Sequence, residues 1–246
     1  MANVGGCLAG LALAAACASQ AFAGPPYITD DPEPTDTGHF ENYLYIEGTH
    51  AAGAFGGPST GAEINYGVFP ETQLTFSFPL DPNPGPGGMG IVWAPLGVGA
   101  KYRFVDEDVD GWRPEVAFFP SVAIPIGSAT RTSPTTEFFP IWLQKNFGGW
   151  SFFGGGGWTH NPGFGNRDFA SYGGAVAYQA GRKLQLGLEV FGATRSAANA
   201  AAATALGVGE IFDVNDSWHL IGSVNKGIVN PALDRFSYNF ALKWTF

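Results

Sequence analysis

The sequence predicts an all-β fold: a transmembrane antiparallel β-barrel of about twelve strands, of the outer-membrane type. Three observations predict it. First, residues 235–246 alternate without a break. Phe236, Tyr238, Phe240, Leu242, Trp244 and Phe246 lie on one face, with Arg235, Ser237, Asn239, Ala241, Lys243 and Thr245 on the other. Strand side chains point to opposite faces with period two, so this segment has one aromatic wall and one polar wall. Phe246 on such a strand resembles the assembly signal of outer-membrane barrels, which implies the barrel assembly machinery as a partner. Second, the connections between alternating segments are long and short by turns along the whole chain. Third, the first residues read as a secretion signal.

Residues 1–23 hold no Lys, Arg, Asp or Glu, and Leu8 to Ala16 form an apolar run too short to span a bilayer as a helix. Ala21-Phe22-Ala23 reads as a small-x-small cleavage site before Gly24. Cys17, after Ala14-Ala15-Ala16, is a rival lipoprotein site that lacks the favoured Leu three residues upstream. Cleavage at Gly24 removes both cysteines, Cys7 and Cys17, which leaves no disulfide framework and no thiolate metal site. The net charge of −9 then belongs wholly to the mature chain, and a pI near 4.7 argues against nucleic acid as a partner. Runs of about 20 apolar residues, which helical membrane proteins need, are absent from the sequence.

Residues 24–37 form an acidic, proline-rich segment. Proline cannot donate to a ladder, so Pro25–Asp36 reads as no strand. It is expected either to tuck into the lumen as a plug, with Asp30, Asp31 and Glu33 meeting Lys101, Arg103 or Lys243, or to hang as a disordered leader. The barrel then occupies 38–246. Alternating segments fall at 39–49, 61–68, 73–80, 90–104, 112–126, 136–147, 150–160, 169–179, 183–195, 203–212, 217–225 and 235–246.

Short connections fall at 69–72, 148–149, 180–182 and 213–216, with a somewhat longer acidic turn at 105–111. Long ones fall at 50–60, 81–89, 127–135, 161–168, 196–202 and 226–234. Outer-membrane barrels have short periplasmic turns and longer outer loops, so both barrel ends belong in the periplasm. Phe69, Phe104, Trp112, Phe147, Trp150, Phe212, Trp218 and Trp244 gather beside the short turns, as a belt at a membrane–water interface would.

Parity assigns the faces. Leu74, Phe76, Phe78 and Leu80 alternate with polar residues, as do Leu184, Leu186, Leu188 and Val190. A Lys or Arg at the bilayer midplane costs roughly 2–4 kcal/mol, so the charged set should face inward. Glu41, Glu47, Glu63, Lys101, Arg103, Glu115, Lys183, Glu189, Arg195, His219, Arg235 and Lys243 are therefore expected to line the lumen as the transport path. Glu210 misfits, sharing a face with Leu206, Val208 and Phe212; a bulge or a misplaced boundary would explain it. The segment with Pro140 and Trp142 is ambiguous.

Other motifs carry little chemistry. Asp106-x-Asp108-x-Asp110-Gly111 matches half an EF-hand loop, but Ala117 stands where the bidentate Glu belongs, so a solvated turn is the better reading. Gly85-x-Gly87-x-x-Gly90 matches a dinucleotide fingerprint by letters only, since prolines interrupt it and no helix follows. His219, Ser223 and Asn225 share a parity, yet lumen positions two apart are already ~6.5–7 Å distant, too far for a nucleophile–base bond. No catalytic residue, cofactor or metal is expected. Glycines 154–157 read as barrel curvature or as clearance for a solute or a folded-in segment.

The mature chain opens GPPYITDDPEPTDTGHFENYLY and continues NYGVFPETQLTFSFPL at 65–80, GVGAKYRF at 97–104, FFPIWLQKNFGGWSFFGGGGW at 138–158 and LGVGEIFDVNDSWHLIGSVNKG at 206–227. Together these resemble the bacterial family labelled putative MetA-pathway of phenol degradation. The resemblance implies a porin-like barrel in the outer membrane of a Gram-negative bacterium, in contact with outer-membrane lipid. Passive uptake of small solutes, aromatic or hydrophobic compounds among them, is the expected function. A structural or adhesive barrel without transport, or a barrel-embedded lipid hydrolase, are the alternatives.

Overall fold

Alternating sequences of this kind have one apolar wall per strand, and a sheet of them can stand in hydrocarbon only as a closed ring. An unpaired backbone group there costs several kcal/mol. The computed structural model describes residues 26–51, 54–55, 58–85, 88–127, 133–231 and 235–246. The signal peptide expected over residues 1–23 lies outside the described residues. The fold is a closed antiparallel barrel of 12 strands. In chain order they are β1 Phe40–Ala51, β2 Ser59–Phe69, β3 Thr72–Gly85 and β4 Leu96–Val105, then β5 in two pieces, Glu115–Phe118 and Ser121–Ile124. There follow β6 Thr136–Phe147, β7 Trp150–His160, β8 Phe169–Gln179, β9 Leu184–Ala193, β10 Ala203–Asp213, β11 Trp218–Val229 and β12 Phe236–Thr245. Each strand pairs with its neighbours in sequence, and β12 returns to β1 from Glu41↔Thr245 to His50↔Phe236.

The burial pattern is inside-out relative to a water-soluble fold. Leu44, Phe76, Ile141, Leu188, Val208 and Phe240 are exposed on the outer wall, while Asn65, Thr75, Ser77, Lys101, Glu115 and Glu189 are buried within. The aromatics flanking the short turns, from Phe69 to Trp244, remain exposed, and Trp218 and Trp244 stack at 5.5 Å. Connections at that end are brief: Glu71 and Gly148 make their turns with φ of 59° each.

Two segments expected as single strands are interrupted by proline. Residues 90–104 divide: Gly88–Trp93 folds back on the outer half of β3, and β4 begins only after Pro95. Segment 112–126 starts later, at Glu115, and breaks at Pro120, although both pieces pair with β6 in one continuous register. Proline lacks the amide a central ladder needs. On β6, Pro140 and Trp142 face inward and are fully buried, while Phe139, Ile141 and Leu143 face out. Glu210 is no boundary error. β10 pairs without slippage from Ala205 to Asp213, the only shift lying at Thr204/Ala205, so its carboxylate points out of the barrel.

Candidate functional site: the lumen and its leader

The lumen is lined by the polar parity of each strand and is entered by the leader, residues 26–38, from the start of β1. Its base is fixed where Gly38 donates to Gly67 O at 2.7 Å and Thr37 bridges to Gly67. Thr35 then donates from both N and Oγ1 to Gln73 Oε1, at 2.8 and 2.9 Å. Gln73 is held in turn by Asn65 and Thr75, which also bond to each other. This buried amide–hydroxyl network on β2 and β3 satisfies its own members, which is what makes polar groups tolerable inside.

The middle of the leader meets Lys101 on β4. Lys101 Nζ lies 3.1 Å from Asp30 and 3.6 Å from Asp31, and donates to Asp31 O at 2.9 Å and Glu33 O at 3.4 Å. Lys101 and Asp30 are both almost fully enclosed, and the ammonium sits 5.1 Å over the Phe119 ring. The leader then crosses to the opposite wall. There Glu189 on β9 accepts Ile28 N, Thr29 N and Thr29 Oγ1 at 3.1–3.2 Å. Tyr27 packs edge-on against Phe153 at 5.4 Å.

Approaches this close, by leader side chains and at one point by its backbone, need walls without side chains. A methyl group at Gly173 would collide with Thr29, one at Gly187 with the Tyr27 hydroxyl, and one at Gly67 with the carbonyls of Thr35 and Asp36. Gly209 would bring its methyl within 2.8 Å of the Tyr27 ring. The 154–157 run serves a different purpose. Side chains there would meet the backbones of β6 and β8 rather than the leader, for example Pro140 against Gly157. The run marks tight curvature, and clearance comes from glycines that no sequence signal singled out. At Gly173 the collision involves Thr29 alone. Gly173→Ala is therefore expected to raise amide exchange at Ile28 and Thr29 while leaving the barrel ladder protected; unchanged exchange at those two amides would sink the cradle.

Of the remaining inward charges, Arg103 and Lys243 pair with carboxylates. Arg103 binds Glu71 at 2.5 Å and Glu115 at 2.7 Å, with Asp106 at 3.6 Å. Lys243 binds Glu41 at 2.8 Å, and Tyr43 donates to Glu41 at 3.0 Å. Glu63 accepts from Asn65 at 3.0 Å, and Glu47 is half-buried opposite Asn239 in register. So Lys101 takes Asp30 and Asp31, Arg103 and Lys243 take strand and turn carboxylates, and the Glu33 contact is through its carbonyl.

Three residues expected on the transport path lie off it. Lys183 precedes β9, is exposed and donates to Val214 O at 2.9 Å in the neighbouring short turn. Arg195 and Arg235 lie beyond their strands among the outer connections, both exposed. Parity holds only while a strand continues, and all three lie past an end. His219 faces inward near the short-turn rim, 2.6 Å from Asp213. Ser223 is two lumen positions further, about 13 Å along the strand.

The acidic turn works as a latch on the outer wall. Glu107 binds Lys145 Nζ at 2.7 Å and accepts from Asn146 N and Nδ2 at 2.8 Å. Partial burial disfavours its charged form, but these bonds outweigh that and hold its pKa below the ordinary carboxylate value.

No family model matches the sequence, and neither does any curated protein. Solved structures are similar in fold. The COG4313 outer membrane channel from Pseudomonas putida F1 superposes with a TM-score of 0.67 at 12% identity, over 87% of this chain and 99% of that one. The KdgM porin gives 0.61 at 11% identity, over 84% and 99%, and the NanC porin 0.57 at 10%, over 83% and 98%. At these identities the likeness is one of fold.

Proposed function

We propose that the protein is an outer-membrane pore for passive uptake of small solutes, narrowed by its own leader. The observation that carries this reading is a closed ring of 12 strands whose interior is lined by charged and polar side chains. Barrels near eight strands are filled by their own side chains, and those with sixteen to eighteen leave an open aqueous channel. A ring of intermediate size has room for one extended segment, and the leader occupies it. The similar folds named channels and porins support the same reading.

Aromatic or hydrophobic compounds are the solute class proposed from the family resemblance. The interior adds a charge criterion, since Glu41, Glu47, Glu63, Glu115 and Glu189 outnumber Lys101, Arg103 and Lys243, and the leader adds Asp30, Asp31 and Glu33. A low-dielectric wall focuses such a field, so anions are repelled. Reconstituted protein is expected to pass neutral aromatics and sugars faster than aromatic acids, with a cation-selective reversal potential in a salt gradient. No flux above that of empty liposomes would leave the structural barrel as the reading; anion selectivity would sink the charge criterion alone.

A further inference from the structure

On the outer wall, the Glu210 carboxylate is compensated by no described residue. Glu210 points outward from β10 between Leu186 on β9 and Gly222 on β11. Its neighbours along the strand on that face, Val208 and Phe212, are exposed and apolar. Its carboxylate has no hydrogen bond or ion pair with any described residue. It lies three residues above Asp213, where β10 ends at the short-turn rim beside Phe212 and Trp218. A tilted strand climbs about 2.5 Å per residue, so the carboxylate sits just inside the aromatic belt.

The wall beside it is shallow. Gly222 carries no side chain, and the Phe240 ring lies flat over its backbone instead of standing out from the wall. With Leu186, Leu188 and Val208 they enclose a groove of about 500 Å³. Trp150 and Tyr178, packed at 4.6 Å, stand at the same groove with polar ring tips of the kind that reach headgroups. Apolar groove, polar-tipped aromatics and a bare carboxylate are complementary to acyl chain, phosphate and ammonium in that order.

We propose that this groove is a binding site for an amine-bearing phospholipid of the inner leaflet, its ammonium paired with Glu210. A second copy of the chain is the poorer occupant. Copies in one membrane share an orientation, so a pairing base must stand at the same height. Lys145 stands near that rim but is held by Glu107 and Asp108, and Lys226 faces out far up β11, three residues from its outer end.

The test is lipid retention by the purified full-length barrel, read by native mass spectrometry after mixing with equimolar phosphatidylethanolamine and phosphatidylglycerol. The wild type should keep phosphatidylethanolamine preferentially by roughly fivefold, the upper end for an ion pair at an interface. Glu210→Gln should abolish the preference, and Gly222→Leu, which pushes the Phe240 ring out into the groove while keeping the carboxylate, should lower retention of both lipids. Heat-modifiable migration checks that each variant folds, and each variant tests the site separately. An unchanged preference in Glu210→Gln, no preference in the wild type, or full retention by Gly222→Leu overturns the proposal. Solute flux is not part of the readout, so the result stands apart from the pore reading.

Discussion

Removal of residues 24–36 raises single-channel conductance severalfold and leaves the heat-modifiable folding of the barrel intact. Residues 26–36 supply no strand to the ring, whose ladder closes through β12 and β1 without them. Their bonds to Lys101, Glu189 and Gln73 all end on the lumen wall. A single substitution should do most of the same. Lys101→Met removes the cation that pairs with Asp30, which is 1% exposed. Breaking a buried pair from one side costs about 3–5 kcal/mol, because an uncompensated charge remains. The leader can escape that cost by leaving, which the barrel wall cannot, so the expected outcome is release rather than unfolding. Combining the two changes should add little, since both act on one contact. The effect should survive molar salt, where the Debye length of about 3 Å screens exposed charges far more than enclosed ones. Conductance unchanged in both variants would mean the leader does not narrow the pore.

Deleting Phe246 is expected to collapse the yield of assembled protein in cells while costing far less in a refolding assay in detergent. Phe246 exchanges two backbone hydrogen bonds with Phe40, at 2.9 and 3.1 Å. Its ring stacks on Phe40 at 5.2 Å and contacts Trp244 at 4.3 Å. Two such bonds contribute about 0.5–1.5 kcal/mol each, and an aromatic pair a similar amount. That loss weakens the seam without abolishing it. Assembly in cells carries the further requirement that the last strand be recognised, for which an aromatic terminus is the proposed signal. Phe246→Leu should therefore refold well in detergent and still assemble poorly. Normal cellular yield of the deletion would remove the terminal residue from that role.

The strands were legible because hydrocarbon outside and charge inside enforce period-two alternation; β6, β7 and β8 begin and end where the pattern does. The misreadings have physical causes. Pro95 and Pro120 sit inside alternating runs and interrupt the strand locally, while pairing resumes beyond them, in the same register at Pro120 and with a one-residue shift at Pro95. Lys183, Arg195 and Arg235 were placed by parity carried past the ends of their strands, where the alternation no longer fixes direction. Glu210 broke the pattern in the sequence because it breaks it in the barrel. The acids of the leader and Lys101 were visible as opposite charges, but Gln73, Thr29, Gly173 and Gly187 were not. A cradle is defined by what approaches it, and that approach joins residues some 160 positions apart.

That separation also sets an order of events. Glu189 is translated long after Thr29, and β9 has no fixed place until β8 and β10 flank it. Contacts of such high sequence separation form late, because loop closure must precede them. The leader therefore remains outside through most of folding, and the nascent lumen is an empty, water-filled shell until the ring is nearly complete. In a refolding time course, protease should clip residues 26–38 early and lose access to them only as the heat-modifiable form appears. The segment that narrows the finished pore thus reports when the wall around it has closed.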